Sequence, residues 1–136
     1  LKRPLVVLQA AIQFFVSLGA LVSGTMLIVA PSGELLQAPR EMLAGSPFND
    51  FLVPGIILVL INGVGQLVAG ILTVRRHPLS GFIGFTFGAG LAIWIYVQVT
   101  IIGGGHILQH SYLALGIAEM ALAFLLQREP QSFRVR

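Results

Sequence analysis

The chain has 136 residues, of which 56% are hydrophobic and 10% charged, against about 25% charged in a soluble domain. Its mean hydropathy of +0.91 leaves too little polar surface to cover a globule in water, and apolar runs of about 20 residues point to repeated membrane crossing. The formal net charge is +3, but the basic residues flank the apolar runs without interleaved aromatics, which suits membrane anchors and argues against a nucleic-acid partner. The absence of cysteine excludes a disulfide framework, thiolate metal centres and dithiol redox chemistry.

The expected architecture is all-α: one transmembrane domain over residues 1–136, a four-helix bundle with spans at about 5–30, 52–74, 79–102 and 107–126. Lys2, Arg3 and Pro4 precede the first span, and Pro31, Ser32 and Gly33 end it. Its apolar region is too long for a signal peptide, whose apolar core is about 7–15 residues. Gln9, Gln13 and Ser17 are four apart and share a face.

Residues 31–50 are the long connection. Pro39 sits where a short helix could begin and Gly45 where it could end, with Leu36, Met42 and Leu43 on its apolar side. A short helix lying in the membrane interface is expected there. In the stretch SPFNDFLVPG, Ser46 is placed to cap a turn begun by Pro47, and Asn49 or Asp50 to cap the second span. Along that span Asn62, Gln66 and Gly70 repeat every four residues and define a polar, small face.

Arg75, Arg76, His77 and Pro78 make a connection so short that the second and third spans must be antiparallel neighbours. Ser80, Gly84, Gly88 and Ala92 form a small-residue seam on the third span, the pattern of a close helix crossing, and Trp94 and Tyr96 lie toward its far end. Gly103, Gly104 and Gly105 lack the lysine and hydroxyl residue of a phosphate loop and read as a turn into the fourth span. Lys2, Arg3, Arg75, Arg76, Arg128, Arg134 and Arg136 against Glu129 leave +6 on one side, whereas Glu34, Arg40, Glu41 and Asp50 leave −2 in the long connection. The expected setting is a bacterial inner (plasma) membrane with both termini cytoplasmic.

The candidate chemistry centres on Glu119, the one ionisable residue deep in a span. An intramembrane carboxyl costs about 2.5–3.5 kcal/mol on insertion scales and is a functional candidate for that reason. At about 1.5 Å rise per residue, Glu119, Gln66 and Gln13 fall at nearly one depth, so a midplane polar cluster of Glu119, Gln66, Asn62 and Gln13 is expected. It reads as a structural pin between helices or as a proton-linked or ligand-binding site. His106 and His110 are weaker metal candidates, lacking a recognisable third ligand, and axial ligation of a haem or pigment through them is left open. No nucleophile with a base and no catalytic carboxylate pair stands out, so the sequence leans away from an enzyme. No cofactor is expected beyond bound lipid.

The segments PSGELLQAP and SPF-x-DF-x-x-PG, with a tryptophan in the third span, resemble a family of small, uncharacterised bacterial four-span membrane proteins. The general plan also looks like the DoxX-like membrane class. These resemblances imply the architecture and carry no functional residue. The leading expectation is a structural or accessory subunit that packs against other membrane proteins or itself. The alternative is a small transporter or binder of a hydrophobic ligand, lipid or quinone, with protonatable Glu119 at its polar focus.

Overall fold

The polar side chains of this chain are among its most deeply buried. Gln9, Gln13, Ser17, Asn62, Gln66 and Glu119 are each 0–2% exposed, while Val7, Leu18, Phe82 and Ile93 are 60–65% exposed. That inversion suits a bundle whose outside meets lipid and whose inside must satisfy its own polar groups. The fold is that of a computed structural model, which describes residues 2–38, 40–103 and 107–127. Among these residues it is all-helical, with four helices long and apolar enough to cross a membrane.

The first helix is Lys2–Val29, the second span Leu52–Val74, the third helix Ser80–Ile102 and the fourth Ile107–Gln127. The first helix therefore begins three residues before the expected boundary, because Pro4 falls in its first turn, where a missing N–H costs no hydrogen bond. Each helix packs on its sequence neighbours, and the first closes the ring against the fourth. The first and second cross closely where Gly24 faces Gly55: a Cβ on Gly55 would stand 3.1 Å from the Gly24 carbonyl oxygen. The third and fourth do the same at Gly88 and Gly116, where a Cβ on either would stand 3.1 Å from the other's carbonyl oxygen. Small residues here let backbones touch, and dispersion replaces the hydrophobic drive that lipid removes.

The expected interfacial helix is instead a pair of 3₁₀ turns, Glu34–Leu36 and Arg40–Leu43. Pro39, its expected first residue, lies outside the described residues. The connection is tied down by Phe51 N donating to Pro31 O (2.8 Å) and by a cluster of Leu27, Leu43 and Phe51. Ser46 Oγ accepts from Phe48 N (3.2 Å), as expected for its turn, while Asp50 Oδ1 accepts from Leu52 N (3.0 Å) one residue ahead of the second span's N-cap position, which Phe51 occupies without a side-chain cap.

The second span is interrupted. Between the α-helical pieces Leu52–Ile57 and Gln66–Val74, residues Leu58–Gly65 form a π-helix. Its wider i→i+5 turns change which side chains share a face and are found often at functional sites. One carbonyl of this segment, Gly63 O, accepts from Ser17 Oγ of the first helix at 2.7 Å.

Candidate functional site

The interior holds a polar cluster and a largely apolar cavity. The first surrounds Glu119 of the fourth helix. Gln66 Nε2 donates to Glu119 Oε1 at 2.8 Å and to Phe87 O at 3.2 Å. Gln13 Nε2 lies at 3.5 Å from Glu119 Oε2, and Gln9 Nε2 donates to the backbone oxygen of Glu119 at 3.0 Å. The first helix and the second span thus send amides to one carboxyl-bearing residue of the fourth helix, and the third helix contributes Phe87 O and the space at Gly84. A Cβ at Gly84 would stand 3.0 Å from Gln9 Nε2 and 3.1 Å from Gln13 Nε2, so this glycine makes room for both amides.

The side-chain partners of the carboxyl are neutral amides. Its two oxygens both accept, while Gln9 Oε1, Gln13 Oε1 and Gln66 Oε1 have no donor. The cluster is therefore rich in acceptors and short of N–H and O–H groups. A proton taken up by Glu119 would supply one further donor beside amide oxygens that lack one.

Asn62, expected in this cluster, makes no hydrogen bond to it. Both its amide atoms are buried and without a partner, although the residue is 1% exposed. The π-helix explains the separation. Four residues make slightly more than one turn of an α-helix, but they fall short of a turn where the hydrogen bonds run i→i+5, so Asn62 is rotated off the face that carries Gln66. It faces the second feature, a cavity of about 730 Å³ between the bundle and the long connection.

The cavity is lined almost wholly by apolar side chains, among them Leu27, Leu43, Phe51, Leu91, Trp94 and Ile101. Its polar lining residues include Gln98, Gln109 and Asn62, although the amide atoms of Asn62 are themselves fully buried. Gln109 Nε2 is held at 3.1 Å from Gly103 O and 3.4 Å from Gln98 Oε1, whereas the Asn62 amide is unpartnered. The volume lies within the range of about 300–1,000 Å³ usual for small-molecule sites, which are concave, mostly apolar and carry few polar groups. Glu119 does not line it; Val16, one turn from Gln13 on the first helix, does.

The remaining candidates separate from these features. The seam residues Gly84 and Gly88 face the first and fourth helices of the same chain, and Ala92 N would lie 3.2 Å from a Cβ on Gly116. Ser80 begins the third helix, its N–H bonded to His77 O at 3.0 Å. His110 is exposed, and no group of three His, Cys, Asp or Glu side chains suited to a metal occurs among the described residues. His106, Gly104, Gly105 and the basic tail with Arg128, Arg134 and Arg136 lie outside the described residues.

Sequence reasoning placed Gln9 on the face of Gln13 but did not join it to the carboxyl, because its target is a backbone oxygen, which no side-chain pattern reports. Comparison with protein-family models, curated proteins and solved structures finds no match to this chain. Its likeness to the DoxX-like class accordingly stays at the level of a four-helix plan.

Proposed function

We propose that this protein binds a hydrophobic ligand within the membrane, a lipid-like or quinone-like molecule held in the cavity between the helices and the long connection. One observation carries the reading: a chamber of about 730 Å³ between the helices and the long connection, walled almost wholly by apolar side chains with a few polar residues such as Gln98 and Gln109 among them. Small-molecule sites are concave and mostly apolar, with few polar groups, and this chamber has that character. Under this reading Glu119 and its amides form the floor that holds four helices in register, and the carboxyl is the group through which a proton could be coupled to occupancy.

The accessory-subunit reading, the leading expectation from the sequence, drew on helix packing through small residues such as Ser80, Gly84, Gly88 and Ala92. Gly84 and Gly88 pack inside the bundle, so under that reading other subunits would dock on other helix faces. The charge distribution supports a plasma-membrane setting with the basic end and both termini in the cytoplasm.

Gentle extraction from the native membrane followed by mass spectrometry of copurifying small molecules tests the binding reading. A lipid or quinone recovered in near-stoichiometric amount, and lost on substituting Trp94 or Leu91 to close or reshape the chamber, is the expected result. A protein that copurifies with other subunits and no enriched small molecule would overturn it.

A further inference from the structure

The second and third spans start together at their short turn and then part. The piece Gln66–Val74 packs against the third helix, whereas Leu52–Ile57 packs against the first helix and, among the described residues, not against the third. The 3₁₀ turn Arg40–Leu43 packs on the third helix in its place, with Ile101 set against the buried cluster of Leu27, Leu43 and Phe51. The long connection thereby roofs the chamber with apolar side chains and leaves one of its sides to the membrane.

That side has a rim. Ile57 and Ile61 of the second span and Ile93 and Val97 of the third helix line the chamber and are also 37–62% exposed. The two rows belong to the spans that have separated. They come together at Gly90, where a Cβ would stand 3.6 Å from Ile61 Cγ2. The four rim residues lie four to nine residues below the span ends on the side of the long connection, roughly 6–14 Å at a helical rise. The surroundings at that depth are hydrocarbon, so what passes between the rows comes from the bilayer.

The interior decides which part of a lipid would pass. No described residue that lines the chamber is charged. The Asn62 amide atoms are buried, and Gln109 Nε2 is held by Gly103 O and Gln98 Oε1. A charged head would lose its hydration there with no opposite charge to meet it. A hydrocarbon chain only exchanges one apolar surrounding for another.

We infer that the chamber is a side pocket of the bilayer: a membrane lipid of the leaflet on the long-connection side inserts one hydrocarbon chain between Ile57 and Ile61 of the second span and Ile93 and Val97 of the third helix, and leaves its head in the membrane interface. This rests on the ligand-binding reading and specifies the occupant's class and its route.

Trp94 is the one tryptophan in the sequence and lines the chamber, so it reports what enters. Protein reconstituted in phosphatidylcholine vesicles would be given increasing fractions of phosphatidylcholine brominated on one chain, reading the quenching of Trp94. The chain has no cysteine, so a variant carrying both Ile57→Cys and Val97→Cys can be bridged, before reconstitution, by a reducible bis-methanethiosulfonate linker that closes the gap. Unbridged protein is expected to show quenching that saturates at a low fraction of brominated lipid. Bridged protein should lose that saturating part and regain it on reduction. Brominated phosphatidylglycerol should quench as phosphatidylcholine does, because the head stays outside.

Saturating quenching that survives the bridge would overturn entry between these spans while leaving a ligand in the chamber. A preference of about tenfold or more for one head would overturn the placement of the head in the interface. Absence of any saturating part in the wild type would overturn the ligand-binding reading along with this one. If the cysteine pair fails to fold, the wild type decides alone: iodide in the water should leave Trp94 largely unquenched, and iodide quenching as strong as that by brominated lipid would overturn lateral entry by placing the opening on the aqueous side.

Discussion

Gln66 Nε2 stands 2.8 Å from Glu119 Oε1 and 3.2 Å from Phe87 O, so one amide of the second span holds both the fourth and the third helix. Replacing it by leucine keeps the bulk and removes both bonds. Hydrogen bonds between membrane helices average only about 0.6 kcal/mol, reaching about 1.7, but here a carboxyl oxygen and a carbonyl are left buried as well. Gln66→Leu is expected to lower stability by about 1–3 kcal/mol in a detergent-denaturation titration. A change within experimental error would mean that the amide is not a tie between helices.

Glu119 can be separated into its shape and its proton. Glu119→Gln keeps an oxygen that accepts from Gln66 and gains an NH₂ that can donate toward Gln13 Oε1, which lacks a donor. Glu119→Leu leaves the Gln66 and Gln13 amides facing a methyl group. The glutamine variant should stay within about 1 kcal/mol of wild type and the leucine variant should lose roughly 1–3 kcal/mol. Equal losses in the two would assign the carboxyl a role that an amide cannot copy.

The helices and their order could be read from the sequence because lipid imposes a length of about 20 apolar residues on each span. Depth along a helix could be read too, since it depends only on rise per residue, and depth is what put Glu119, Gln66 and Gln13 on one level. Rotation about the helix axis was less legible. The assumption of uniform α-helical turns placed Asn62 with Gln66, and the π-helix at Leu58–Gly65 broke that assumption. The chamber was illegible as well, because its walls come from all four spans and the long connection, and no local pattern encodes the space between them.

The seam predicts a graded response to one added methyl group. At Gly90 an added Cβ meets its nearest neighbour, Ile61 Cγ2, at 3.6 Å, an ordinary contact. At Gly84 it meets the ends of two glutamine side chains at 3.0 and 3.1 Å, which can shift at some cost to the cluster. At Gly88 it meets backbone, Gly116 O and Met120 N, each at 3.1 Å, which cannot move without separating two helices. Alanine substitutions are therefore expected to destabilise in the order Gly88, Gly84, Gly90, the last within about 0.5 kcal/mol of wild type. The same denaturation assay on the three variants checks the order, and a Gly88→Ala protein as stable as wild type would contradict the close crossing.

Orientation is directly accessible because the chain has no cysteine. Leu35 in the long connection is 49% exposed, and His77 in the short basic turn is exposed. A membrane-impermeant thiol reagent applied to intact cells should label Leu35→Cys and spare His77→Cys until the membrane is opened, as the excess of basic residues at the His77 end requires. The opposite pattern would invert the assignment.

Asn62 costs stability. Its Nδ2 and Oδ1 are buried without partners, so in the empty protein the residue contributes an unmet hydrogen-bonding requirement and little else. Leucine is close in size and asks for no partner, and replacing an unpaired buried polar group by an apolar one of the same shape can be stabilising. Delipidated Asn62→Leu is therefore expected to resist denaturation better than delipidated wild type by about 1 kcal/mol, in contrast to the losses at Gln66 and Gly88. If Asn62→Leu is instead destabilising, the asparagine is making hydrogen bonds of its own.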